Sequence, residues 1–126
     1  MNRPRLRHLA FVARDAAKLA SFYVEHFGME QFHQEADGSR FLTDGYLNLA
    51  IIQQALDGEV PTGFNHFGFH VEDADLVRGE LTEAGHPAPA SRMTNRPFAE
   101  YRGIDPEGNW FDISAGGFVP PHLEQR

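Results

Sequence analysis

The sequence predicts an α+β fold of two tandem β-α-β-β-β modules, forming a curved eight-stranded mixed sheet with the helices outside. Three observations carry this expectation. A strand-like segment with a histidine recurs at His8 and His66, and each is followed seven residues later by an aspartate, Asp15 and Asp73. A helical stripe follows each aspartate and stops at a glycine, Gly28 in the first copy and Gly85 in the second. Finally, Asp44-Gly45-Tyr46-Leu47-Asn48 resembles Asp105-Pro106-Glu107-Gly108-Asn109-Trp110-Phe111-Asp112, with a longer turn in the second copy. Three matches in the same order identify an internal repeat.

The elements follow in order. Leu6 to Val12 is a short apolar run with β-branched and aromatic members, read as a strand. Asp15 is placed to cap a helix whose stripe is Ala16, Leu19, Ala20, Tyr23 and Phe27. Strands are expected at Gln31–Gln34, Ser39–Thr43 and Tyr46–Gln53, separated by Asp37-Gly38 and Asp44-Gly45. A Gly- and Pro-bearing loop runs from Ala55 to Gly63. Asn65 to Val71 reopens the pattern as a strand. Asp73 then caps the stripe Ala74, Val77, Leu81 and Ala84. The modules occupy about residues 5–54 and 64–115 of one domain spanning 1–126, with a tail over 116–126 that has no period and reads as mobile or packed on a partner.

The bulk composition narrows the function classes. A chain of 126 residues with a 41% hydrophobic content and eleven Phe has enough apolar material for one core. No apolar run approaches the roughly 20 residues a membrane helix needs, and the basic start is not followed by a signal-peptide stretch. A cytoplasmic, membrane-free protein is expected. Cysteine is absent, which removes disulfides, thiolate nucleophiles and Cys-ligated zinc. The net charge of −7, with its eleven Lys and Arg scattered, speaks against nucleic acid as a partner.

Strand alternation then groups the chemistry. His8 shares a face with Ala10 and Val12, His66 with Gly68 and His70, and Asp112 with Trp110 and Ser114. Two imidazoles and a carboxylate from three strands suit a divalent ion with open positions, and the small Ala10 and Gly68 leave room beside it. A substrate with adjacent oxygens would chelate such an ion, acidifying its protons or stabilising an enediolate. The plain alternative is a polar His at a strand start and an Asp112 that caps an edge or pairs with an arginine. His70 is a candidate acid or base, or a cavity-lining histidine without a role. Arg102 either binds an anionic substrate group or pairs with Glu100 on its own face. Trp110 either stacks on a planar substrate or walls the cavity. The stretch Arg92 to Arg96 reads as a lid loop.

At these residues the sequence resembles the vicinal oxygen chelate superfamily, which includes glyoxalase I, fosfomycin-modifying thiol transferases, bleomycin-resistance proteins, methylmalonyl-CoA epimerase and extradiol dioxygenases. The resemblance runs from Arg7 to Ser114. It is strongest in Arg7 to Asp15, in Asn65 to Asp73 and in Asp105 to Ile113. It implies metal ligands at His8, His66 and Asp112, with iron, manganese, nickel or zinc as the ion. The last ligand is usually Glu in that superfamily, one methylene longer than the Asp here. The fourth ligand of glyoxalase-type members falls on Asn48, which is assigned to substrate contact, and the tyrosine of the ring-cleaving members falls on Arg102. The resemblance further implies a homodimer, its site supplied by one polypeptide or by two. Two functions stay open: a metal-dependent lyase, isomerase, thiol transferase or dioxygenase acting on a small oxygenated molecule, and a metal-free protein that sequesters a drug or metabolite.

Overall fold

The computed structural model describes residues 3–55, 60–94 and 96–116. They divide into two compact units, one within His8–Asn65 and the other made of residues 3–7 and 66–116. Eight strands in a mixed sheet and one helix per module realise the predicted class.

The first unit holds most of β1 (Arg5–Ala13), with α1 (Ala16–Phe27), β2 (Glu30–Gln34), β3 (Arg40–Thr43) and β4 (Asn48–Gln53), its strands ordered β2-β3-β4-β1. β1 and β4 are parallel, with His8 opposite Asn48, Ala10 opposite Ala50 and Val12 opposite Ile52. Helix α1 forms because Asp15 accepts a hydrogen bond from the Lys18 amide at 3.0 Å, satisfying one orphan donor of the first turn. It ends at Gly28, whose φ of 69° turns the following Met29 amide back to the Tyr23 carbonyl at 3.4 Å. Ala16 and Ala20 on its inner face pack with Ala13, Leu42 and Ile51 into an apolar core, flanked by Leu19, Tyr23, Met29 and Leu49. Gln53 clamps the helix start to the sheet, its Oε1 accepting from the Ala16 amide at 2.9 Å and its Nε2 donating to the Arg14 carbonyl at 2.6 Å. β4 begins two residues later than the alternation predicts. Asp44 Oδ1 accepts from the Tyr46 and Leu47 amides at 2.9 and 2.8 Å, which holds those two residues in a turn.

The second unit contains most of β5 (Gly63–His70), then α2 (Ala74–Glu83), β6 (Ala90–Ser91), β7 (Tyr101–Ile104) and β8 (Trp110–Ser114), ordered β5-β8-β7-β6. β5 and β8 are parallel, with Gly68 opposite Asp112 and His70 opposite Ser114. β7 runs antiparallel to β8, with Arg102 opposite Asp112, and Ala90 of β6 lies opposite Arg102. The face away from these groups is aromatic: Phe69 meets Phe67 and Phe111 edge to face. The Phe111 ring lies so close to β7 that a Cβ on Gly103 would come within 2.6 Å of its Cζ. Asp73 caps α2 through the Leu76 amide at 3.1 Å. Asp105 repeats the Asp44 turn one residue longer, accepting from the Glu107 and Asn109 amides at 2.9 Å each. Part of the predicted loop, residues 56–59, and the tail from 117 to 126 lie outside the described residues.

Candidate functional site

In the second unit the alternation of β5, β7 and β8 brings charged groups onto one face. Asp112 is fully buried and His66 nearly so. Asp112 stands opposite Gly68, which has no side chain, so its carboxylate reaches back along β5 to His66. His66 Nε2 and Asp112 Oδ2 are 3.2 Å apart. From β7, Arg102 grips the same carboxylate with a fork: Nε donates to Oδ1 at 2.7 Å and Nη2 to Oδ2 at 3.2 Å. Nη2 also lies 3.2 Å from His66 Nδ1 and 3.0 Å from His66 Nε2. One tautomer serves all three groups, with Nε2–H donated to Asp112 and Nδ1 accepting from Arg102.

Arg102 does not pair with Glu100, the other partner considered from the sequence. Residues two apart on a strand sit about 7 Å from each other, whereas Asp112 is directly opposite. Glu100 Oε1 instead accepts from the Ala115 amide. The Arg102 guanidinium also rests over Trp110, 5.3 Å from the ring centroid, and the two border a cavity of about 180 Å³. Trp110 itself is 45% exposed. His70 lies opposite Ser114 at the end of β5 and is partly exposed.

Arg92 was read from the sequence as part of a lid. Its backbone continues the sheet edge, the amide donating to the Glu100 carbonyl at 2.9 Å, and its Nη1 lies 3.5 Å from Asp112 Oδ2. Burial lowers its pKa most, and repulsion from Arg102 and then Arg96 lowers it further, while Asp112 pulls the other way. No motif marks Arg92 as part of this cluster; only the pairing of β6 with β7 brings it there. Arg92 and Arg96 line a cavity of about 490 Å³ together with Ser91, Thr94 and Phe98. Phe98 is buried with φ at 45°, a left-handed conformation that a bulky side chain rarely adopts and that is concentrated at ligand sites.

In the first unit, His8 and Asn48 are neighbours across β1 and β4, and both are buried. Asn48 Nδ2 and Oδ1 have no hydrogen-bond partner among the described residues. Leaving a buried amide in this state costs about 1–3 kcal/mol, so a group that fills its donor and acceptor is called for.

The donor chemistry of His66 and Asp112 suits a divalent ion. Two ligands about 2.1 Å from an ion and at right angles to each other are separated by about 3.0 Å, close to the observed spacing. Neutral imidazole and carboxylate donors without thiolate are the set that iron, manganese, nickel and zinc accept.

The sequence model of the Glyoxalase/Bleomycin resistance protein/Dioxygenase superfamily matches residues 5–113. The chain belongs to this superfamily. That span runs from the start of β1 into β8 and includes His8, His66 and Asp112. No curated protein sequence matches the chain. Solved structures share the superfamily fold. The 2,3-dioxygenase LapB from Pseudomonas sp. KL28 is 16% identical with a TM-score of 0.71, over 89% of this chain and 40% of its own. The catechol dioxygenase BphC, described as halotolerant, is 23% identical with a TM-score of 0.67, over 92% and 40%. Methylmalonyl-CoA epimerase from Mycobacterium tuberculosis is 17% identical with a TM-score of 0.63, over 91% and 88%. The chain thus spans about two fifths of each dioxygenase and most of the epimerase.

Proposed function

We propose that the protein is a divalent-metal-dependent enzyme acting on a small oxygenated molecule, with His8, His66 and Asp112 as the metal ligands. The observation that supports it most is the buried His66–Asp112 pair at 3.2 Å, two ion-binding donors held where water does not compete. His8 is proposed as the third ligand because it is the repeat equivalent of His66 and is buried in its own unit. The ion, when bound, supplies Lewis-acid polarisation of substrate oxygens.

The chain's own residues then do the rest. His70, two residues beyond His66 on the same face, takes or returns a proton at an imidazole nitrogen. Asn48 offers a donor and an acceptor to substrate oxygens, and Arg102 offers a fork to an anionic group. Trp110, with its ring half exposed, provides a stacking surface. The reaction class of this reading is lyase, isomerase, thiol transfer or dioxygenation. A cytoplasmic homodimer goes with it. The support for the dimer is apolar surface on α1, where Phe22 and Phe27 are 48% and 69% exposed. Among the described residues no helix is long and apolar enough to cross a membrane.

Elemental analysis of protein purified without chelator tests the metal. Stoichiometric iron, manganese, nickel or zinc is expected, and Asp112→Ala or His66→Ala should lose it while remaining folded. Full metal occupancy in Asp112→Ala would remove that residue from the ligand set. A second reading, a metal-free protein that binds a drug or metabolite, draws on the Arg102 fork, which neutralises Asp112 without any ion. Under that reading no metal co-purifies and no divalent ion raises the melting temperature. A bound ion at a hundred times its Kd should add about 2.7 kcal/mol, several degrees of Tm.

A further inference from the structure

We infer that Arg102 is an internal cation that holds the His66–Asp112 pair in the metal-free protein, and that a divalent ion binds only by displacing it. This rests on the metal reading above. Arg102 stands where an ion shared by His66 and Asp112 would be placed. Arg102 Nη2, His66 Nε2 and Asp112 Oδ2 form a nearly equilateral triangle with sides of 3.0, 3.2 and 3.2 Å. An ion about 2.1 Å from both donors lies, by that geometry, between about 1.3 and about 4 Å from Nη2, and in about half of its placements it comes within about 3 Å of the nitrogen. The ion also needs Asp112 oxygens that the guanidinium now engages. A divalent ion and the fork therefore compete for the same carboxylate and the same space.

The fold provides a place for the displaced side chain. Arg102 already touches the Trp110 ring, and both border the cavity of about 180 Å³ with Pro87, Ala88, Gly103 and Ile104. Swinging off Asp112 keeps the cation over the indole and turns the fork outward, where an anionic substrate group can meet it. Metal entry and the readiness of Arg102 for substrate are then one event. Arg92, 3.5 Å from Asp112 Oδ2, remains to balance the carboxylate in both states.

Metal-free full-length protein titrated with Zn²⁺, a closed-shell ion, tests this by calorimetry and by fluorescence, since Trp110 is the only tryptophan. Arg102→Gln should bind Zn²⁺ at least about tenfold tighter than the parent. The parent's Trp110 emission should shift on titration and that of Arg102→Gln should not. Arg102→Lys keeps the charge but loses the fork. It should fall between the two, and it carries the test if Arg102→Gln does not fold. Equal affinities in the parent and both variants, with Zn²⁺ lost in His66→Ala, would overturn the displacement and leave the metal site standing. No Zn²⁺ binding by parent or variants overturns both.

Discussion

The two modules carry the same row of the sheet with opposite chemistry. Aligning His8 with His66 sets Ala10 on Gly68. Strand pairing then sets Ala50 on Asp112 and Phe41 on Arg102. In the first module the row Ala10, Ala50, Phe41 is apolar and buried, between 0% and 3% exposed. In the second it is Gly68, Asp112, Arg102, with a buried carboxylate gripped by two arginines. The scaffold therefore closes equally well around alanine and phenylalanine. A buried ion pair is often no more stabilising than apolar residues of similar volume. The first module shows that the same row can be built without the charges of the second.

The helices differ in the same sense. α1 buries Ala16 and Ala20 against its sheet, while α2 buries no residue fully. The first module supplies more of the packed apolar interior and the second more of the reactive polar surface.

Transplanting the apolar row is the largest way to break this comparison. Asp112→Ala alone leaves Arg102 and Arg92 without their counter-charge and should destabilise the protein by about 3 kcal/mol. Adding Arg102→Phe, which copies the first module's row, should recover most or all of that loss by chemical denaturation. A double variant no more stable than Asp112→Ala would show that the two rows are not interchangeable.

A smaller effect is expected in the first module. Asn48→Leu removes a buried amide without partners and should raise stability by about 1–2 kcal/mol, measured by urea midpoint. Turnover or ligand affinity should fall in the same variant. Loss of stability instead would mean that Asn48 is satisfied in solution.

The smallest effect separates the two Asp turns. The Asn109 amide and side chain, then the Glu107 and Gly108 amides, hold the Asp105 carboxyl below its usual range, outweighing burial. A carboxyl lowered in the fold stabilises above its unfolded pKa and loses that contribution as pH falls through the folded one. Asp105→Asn should therefore differ from the parent most near neutrality, and the two unfolding midpoints should converge in acid. A gap that persists at low pH would assign the effect to shape rather than charge.

Much of this was legible in the residues. Period-two alternation placed His66, Gly68 and His70 on one face and Asp112 with Trp110 on another strand's matching face, because side-chain direction in a strand depends only on parity. Asp15, Asp73, Asp44 and Gly28 announced caps and turns, since each acts on amides or carbonyls within a few residues. Strand ends were less legible: β4 starts at Asn48 because the Asp44 turn claims Tyr46 and Leu47. The role of Arg92 was not legible, as it looked like one more charge in a loop.

The amino-acid order by itself determined the duplicated β-α-β-β-β plan, the two capped helices and the faces on which the candidate ligands stand. These are local properties, decided by neighbours in the chain. Only the tertiary structure decided that Arg102 faces Asp112 and His66 rather than Glu100, that Arg92 joins them, and that the buried Asn48 amide has no hydrogen-bond partner among the described residues. Those facts depend on strand register between segments ten to nearly fifty residues apart, and a shift of two residues in any pairing would leave the sequence pattern intact while giving each charge a different partner.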